Sequence, residues 1–141
     1  PAVADPGALI VAIAQRENLK VAPLVGPSSI LLALMGSGMN GQSFAFNGYP
    51  PINESEMQRA IRHFETRAAK ENQTQIFIET PFRNRRFIDA LLKTLNPSTR
   101  LCIAAGITCE NEYIRTQTVA RWRHTEIPDF SHTPAIFCIG K

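Results

Sequence analysis

A chain of 141 residues can build one domain with a real core and is too short for two comfortable ones. Its 44% hydrophobic and 19% charged residues are the proportions of a globular fold, which leaves out disordered and fibrous classes. The net charge of +3 permits an anionic partner without requiring one, because lysine and arginine are scattered rather than gathered in a tract.

No apolar run approaches the roughly 18 residues of a membrane-crossing helix, and no signal-peptide pattern opens the chain, so no membrane association is expected. Cys102, Cys109 and Cys138 form no C-x-x-C and have no histidine at metal spacing, so no metal site is expected. Cys102 and Cys138 lie in strand-like apolar runs and read as reduced core residues of a cytoplasmic protein.

The chain opens at Pro1 on Pro-Ala-Val-Ala-Asp-Pro-Gly, a loop pattern of the sort entered from a preceding strand, and the expectation is a piece of a longer protein. Asp5-Pro6 predicts a helix start, an N-cap followed by proline at the first helical position. Leu9, Ile10, Ile13 and Ala14 then share one helical face, and Asn18 is the stop. Residues 20–24 are a short apolar run that predicts a buried strand. Pro27 ends it, and Ser28 is expected to cap a helix carrying Leu31, Leu34 and Met35 that stops at Gly36-Ser-Gly38. A strand running straight into a helix N-terminus turns backbone N–H groups and a positive dipole end toward a crevice, which suits a small polar ligand. The same turn can also be purely structural.

Phe44–Phe46 predicts a strand and residues 47–51 a loop; Asn53 with Glu56 predicts a capped helix that buries Met57, Ile61 and Phe64. The other face of that helix, with Arg59, Arg62, Glu65 and Arg67, reads as solvated. Residues 73–78 are a β-branched strand ending at Glu79-Thr-Pro81. The next helix carries Phe87, Ile88, Leu91, Leu92 and Leu95, and Asn96-Pro97 ends it. Strands follow at Arg100–Ala105 and, with one solvated face, at 113–119. A helical turn at Val119–Trp122, a loop at 129–134 and a closing strand at 135–139 complete the chain. Strand–helix alternation early and hairpin-like strands late predict an α/β domain whose mixed β-sheet is flanked by helices.

The common catalytic signatures G-x-S-x-G, H-E-x-x-H, the Walker loop and GxGxxG are all missing from the sequence. His63, His124 and His132 have no carboxylate partner evident in sequence and read as surface residues. Cys102 and Cys109 bracket a loop without a nearby base, weak grounds for a nucleophile. What remains is a set of strand ends: Gly26-Pro-Ser-Ser29, Glu79-Thr-Pro81, Ala104-Ala-Gly-Ile-Thr108 and His132-Thr-Pro-Ala135. Small residues there let backbone approach a ligand closely, at the place where open α/β sheets bind theirs.

Asp5-Pro6-Gly7, followed later by Val25-Gly-Pro-Ser-Ser29, resembles the tetrapyrrole (corrin/porphyrin) methylase superfamily of S-adenosylmethionine-dependent methyltransferases. The resemblance spans nearly the whole chain and lies nearest the branch that methylates a ribose 2′-hydroxyl of small-subunit ribosomal RNA. That branch reads Ser-Asp-Pro-Gly, Pro-Gly-Pro-Ser, Glu-Ser-x-x-Arg, and Arg-Glu-Leu-Thr with a glutamate four residues later. Glu79-Thr-Pro-Phe-Arg83 matches the third with threonine for serine. Ile107-Thr108 and Glu112 match part of the fourth, where Ala105-Gly106 stands in place of Arg-Glu. The implied architecture is the second domain of a two-domain tetrapyrrole-methylase-like fold, with residues 1–26 ending the N-terminal domain and residues 27–141 forming the C-terminal one.

The resemblance also implies that S-adenosylmethionine lies in a cleft between the two domains. Val3 and Ala4 match a loop crossing its methionine end, and Ser28 and Ser29 match the hydroxyl pair after the Gly-Pro turn. Glu79, followed by Thr80, matches a strand end facing the adenosine, Ala105 and Gly106 a small-residue contact, and Thr133-Pro134-Ala135 the segment flanking adenine. Adenine needs a flat apolar slot with backbone hydrogen bonds, which Pro134-Ala135 opening a strand can provide. The catalytic base stays open between Glu79 and Glu112. Glu79 could equally be an ion-pair partner of Arg83. Arg83, with Arg85 and Arg86, could meet RNA phosphates or be a solvated helix start.

The expected partners are ribosomal RNA and a second copy in a homodimer. Two other functions stay open: methyl transfer to a porphyrin or corrin precursor, and a non-catalytic dimerisation or binding module. Glu79-Thr80, where the porphyrin branch has Met-Gly, speaks against the first, and the Ala105-Gly106 departure favours the second. With half the cleft expected in a preceding domain, the 141-residue chain alone is expected to bind the cofactor poorly.

Overall fold

In the computed structural model, residues 2–141 are described; the expected opening at Pro1 lies outside them. Strands β1 (Phe44–Phe46), β2 (Thr74–Glu79), β3 (Arg100–Ala105), β4 (Tyr113–Thr118) and β5 (Ala135–Gly140) form one sheet in the order β1-β2-β5-β3-β4. β1 and β2 are parallel, while β5 runs antiparallel to both β2 and β3, and β3 pairs antiparallel with β4. The expected mixed sheet is present. Its centre is the last strand in the chain, and β5 is buried along its whole length because its apolar run is covered on both faces.

The two covers are helical. α3 (Glu54–Glu71) and α4 (Asn84–Thr94) bury Met57, Ile61, Phe87, Ile88 and Leu91 against Phe77, Ile103 and Phe137. Rings meet edge-on across this layer, Phe77 to Phe87 at 5.9 Å and Phe87 to Phe137 at 5.0 Å between centroids. On the opposite face α2 (Ser29–Ser37) lays Ala33 and Leu34 on Ile76, Ala104, Ile136 and the register partners Cys102 and Cys138. Both cysteines are buried and free. The hydrogen bond with Cys102, together with burial, pushes the Cys138 thiol up, so it stays protonated. α5 (Val119–Trp122) is capped by the Thr118 hydroxyl, and Trp122 Nε1 donates to the Leu101 carbonyl at 2.8 Å.

Several local expectations correspond to the structure in detail. Asn53 Oδ1 accepts from the Ser55 and Glu56 N–H groups at 3.0 and 3.2 Å, capping α3. Gly38 closes α2 in the left-handed region at φ +66°. α1 (Gly7–Arg16) begins one residue later than Asp5-Pro6 predicts, with Pro6 rather than Asp5 as N-cap, and Asp5 Oδ2 accepts from the Ala2 and Gly7 N–H groups at 2.9 and 2.8 Å. Those bonds hold the Asp5 carboxyl below the usual carboxylate range.

Three expectations are corrected. Residues 20–24 form no strand, and Leu24 is 90% exposed. Extended backbone becomes a strand only beside a partner, and no strand of the described residues pairs with this segment; an apolar run permits burial without supplying it. Ser28 is the N-cap residue of α2 in extended conformation, but its hydroxyl makes no capping hydrogen bond; of Leu31, Leu34 and Met35 only Leu34 is buried. Glu65, read as solvated, is buried at 9% exposure. Its carboxylate accepts from the Asn96 N–H and Nδ2 at 2.8 Å each and from the Thr99 hydroxyl, so it ties α3 to the turn before β3.

Candidate functional site

β2 and β3 end at the same edge of the sheet at which antiparallel β5 begins. Glu79 pairs with Ala135, and Ala105 pairs with Ala135, so three strand tips far apart in sequence lie side by side. The Gly106 N–H donates to the Pro134 carbonyl at 3.1 Å and knits two of them together. On the α2 face of this edge opens a cavity of about 290 Å³. Its floor is the apolar row Ile78, Ile136 and Ala104, which are register partners across the three strands. Its rim holds Ser29, Glu79, Gly106, Pro134 and Ala135.

Five of the residues named from sequence thus meet in one cavity: Ser29, Glu79, Gly106, Pro134 and Ala135. The others stand outside its walls. Ala105 is fully buried on the opposite sheet face, among the α3–α4 layer, because successive strand residues point to opposite sides; its register partners Ala135 and Glu79 share that face and meet the cavity only because they stand at the strand ends. Thr80 turns back to donate its N–H to Glu79 Oε1 at 2.7 Å. The Thr133 carbonyl is taken by Asn84. Ser28 lies one residue short of the wall, and Val3 and Ala4 are exposed on the segment before α1. Glu112 Oε2 accepts from the Thr108 N–H at 2.7 Å and closes the 106–112 loop, where Thr108 sits at φ +69°.

Ile107, named in the sequence as part of a motif match, and Cys109, weighed there as a weak nucleophile, also line the cavity, as does Tyr49, which the sequence did not single out. The loop at 47–51 was legible, but its position depends on β1 pairing with β2. The Ile78 N–H donates to the Gly48 carbonyl at 3.0 Å and brings Tyr49 alongside the β2 tip.

Glu79 is both a cavity wall and an ion-pair partner. Its Oε1 accepts from Arg83 Nε at 2.9 Å and from the Thr80 N–H, and the Arg83 guanidinium also lies over the Phe82 ring at 5.4 Å. The other two arginines have intramolecular partners too: Arg85 pairs with Asp89 at 3.2 Å, and Arg86 donates to the Ile52 carbonyl at 2.9 Å. Because Arg83 keeps a quarter of its side chain in water, the Glu79–Arg83 coupling is expected to be modest. A double-mutant cycle with Glu79→Gln and Arg83→Ala, followed by urea unfolding, should return about 1 kcal/mol. Purely additive losses would show that the pair contributes no coupling.

The chemistry available is that of a small pocket with an apolar floor. A helix N-terminus stands on one side and the strand ends at Glu79, Gly106 and Pro134 on the other.

No family model matches the chain. It is similar to proteins named ribosomal RNA small subunit methyltransferase I: 31% identical to that of Mesorhizobium japonicum over 99% of this chain and 47% of the relative. The counterpart from Halalkalibacterium halodurans is 34% identical over 82% of this chain and 38% of its own length. The methyltransferase CobJ, 15% identical, superposes with a TM-score of 0.56 over 95% of this chain and 56% of that one. The chain belongs to the tetrapyrrole methylase superfamily. This tetrapyrrole methylase chain also superposes on a conserved hypothetical protein from Aeropyrum pernix with a TM-score of 0.66 at 11% identity, covering 99% and 54% of the two chains. At such identities the structural likenesses establish the fold, a mixed sheet flanked by helices. The tetrapyrrole methylase chain spans less than half the length of the curated relatives it matches.

Proposed function

We propose that the complete protein containing this chain is an S-adenosylmethionine-dependent methyltransferase acting on a ribose 2′-hydroxyl of small-subunit ribosomal RNA. The observation that carries this reading is similarity over 99% of the chain to a protein named ribosomal RNA small subunit methyltransferase I. When bound, S-adenosylmethionine supplies an electrophilic methyl group on a sulfonium, so the protein's work is positioning. Pro134 and Ala135, above the Ile78 and Ile136 floor, offer a flat apolar slot for a base. Ser29 and the α2 N-terminus offer donors to a polar group. Arg85, whose side chain is 71% exposed, is the arginine of this cluster best placed for a phosphate.

The test is methyl transfer from radiolabelled S-adenosylmethionine by the complete protein to small ribosomal subunits from cells lacking the activity. Label on a ribose 2′-oxygen, with an RNA affinity that falls steeply with salt, is the expected result. Label on a uroporphyrinogen-like compound and none on RNA would move the reading to the porphyrin branch, and no transfer to any component of a cell extract would make the protein a binding module. Calorimetry on the 141-residue chain alone should show little or no cofactor binding; micromolar affinity would overturn the view that the cleft needs a second domain.

A further inference from the structure

Asn84 opens α4 and is fully buried, yet its hydrogen bonds leave the helix. Its Nδ2 donates to the Phe130 carbonyl at 3.0 Å and to the Thr133 carbonyl at 2.8 Å. Both N–H bonds of the amide are therefore spent on one strap, residues 130–133, which runs directly into the cavity rim. The strap is closed on itself by the Thr133 N–H to the Phe130 carbonyl at 3.1 Å, and the Asp129 carboxylate accepts from the Ser131 N–H and hydroxyl at 2.9 Å each. The next residue, Pro134, forms the rim and accepts from the Gly106 N–H. A continuous path of hydrogen bonds thus leads from the Asn84 amide through the strap to two walls of the cavity.

The same side chain carries a cost. Asn84 Oδ1 is buried without a partner, and a buried acceptor left unpaired opposes folding. An amide kept in the core for its two donors, at the expense of its acceptor, is placed for what those donors hold.

We propose that Asn84 is a positioning residue of the nucleoside slot. Its amide draws the Phe130 and Thr133 carbonyls toward α4 and so sets the pitch at which Pro134 and Ala135 meet the cavity. The inference rests on the reading that this cavity takes the adenosine end of S-adenosylmethionine. It adds that the width of the slot is governed from the far side of the sheet, by a residue that touches no ligand.

The experiment uses the complete protein with S-adenosylhomocysteine as the probe. It compares Asn84→Ala, Asn84→Ser and the control Ile61→Val, which trims a buried side chain of α3 that makes none of the strap's hydrogen bonds. Each is studied below its own unfolding temperature. Asn84→Ala is expected to weaken binding by about tenfold or more and to raise KM for the cofactor more than it lowers kcat, and the Gly106 amide should exchange faster with deuterium. Asn84→Ser, which keeps one donor, should fall between and serves alone if the alanine variant does not fold. Ile61→Val should lower stability with the affinity unchanged. Wild-type affinity and Gly106 protection in both Asn84 variants, with only stability reduced, would make Asn84 a structural residue and overturn the proposal. Failure of the wild-type protein to bind the probe is a separate outcome that removes the reading beneath it.

Discussion

Gly106→Val is expected to abolish cofactor binding by the complete protein and to cost about 2–3 kcal/mol of stability. Gly106 sits at φ +58°, a region that a β-branched residue enters only with strain. A Cβ there would also lie 3.3 Å from both Asn111 Oδ1 and the Thr133 methyl, so both side chains must give way. The remaining valine methyls must go toward the cavity or push the strap away from it, and either closes the slot. Gly106→Asn, which tolerates the left-handed region better, should lose less stability. Calorimetry with S-adenosylhomocysteine and thermal unfolding read the two effects apart. Wild-type affinity in a merely less stable valine variant would place the ligand elsewhere.

The second large effect concerns the scaffold. Glu65→Ala is expected to destabilise the chain by about 3 kcal/mol, a substantial part of the 5–15 kcal/mol typical of a whole domain. It removes a buried carboxylate that accepts from the Asn96 N–H, the Asn96 amide and the Thr99 hydroxyl in one step, and no other residue ties α3 to that turn by these donors. Glu65→Gln keeps one carbonyl acceptor and should lose about half as much. Urea unfolding with an unchanged slope measures both. A loss below about 0.5 kcal/mol for the alanine variant would mean that water satisfies these donors without help.

Glu65 also illustrates where reading the chain alone stops. It stands four residues after Ile61 and eight after Met57, at the margin of the buried face of α3, so its charge rather than its spacing groups it with the exposed Arg59 and Arg62, and the approach of the Asn96–Thr99 turn gives its carboxylate three partners. Residues 20–24 err in the opposite direction: Leu24 and Val25 have strand-like side chains but no strand beside them. The cavity divides along the same line. Ser29, Glu79, Gly106 and Pro134 could be picked out because each lies where an apolar run meets a small-residue turn, a local pattern. Ala105 was grouped with Gly106 by adjacency, and strand alternation sends it to the other face. Tyr49 and Asn84 carried no such mark, since what they do depends on segments 29 and 46–49 residues away.

By itself the sequence determined the identity of almost every helix and strand after residue 28, the Asn53 cap, the stops at Gly38 and before Pro97, and the tips at which a ligand could be met. These follow from side-chain periodicity, backbone freedom and capping, all interactions within a few residues. Only the tertiary structure decided that β5 slots between β2 and β3, and with it which tips become neighbours, which carboxylate is buried and which amide holds the rim. Strand order is chosen by how whole faces pack and pair across the chain, and that free energy belongs to no single segment.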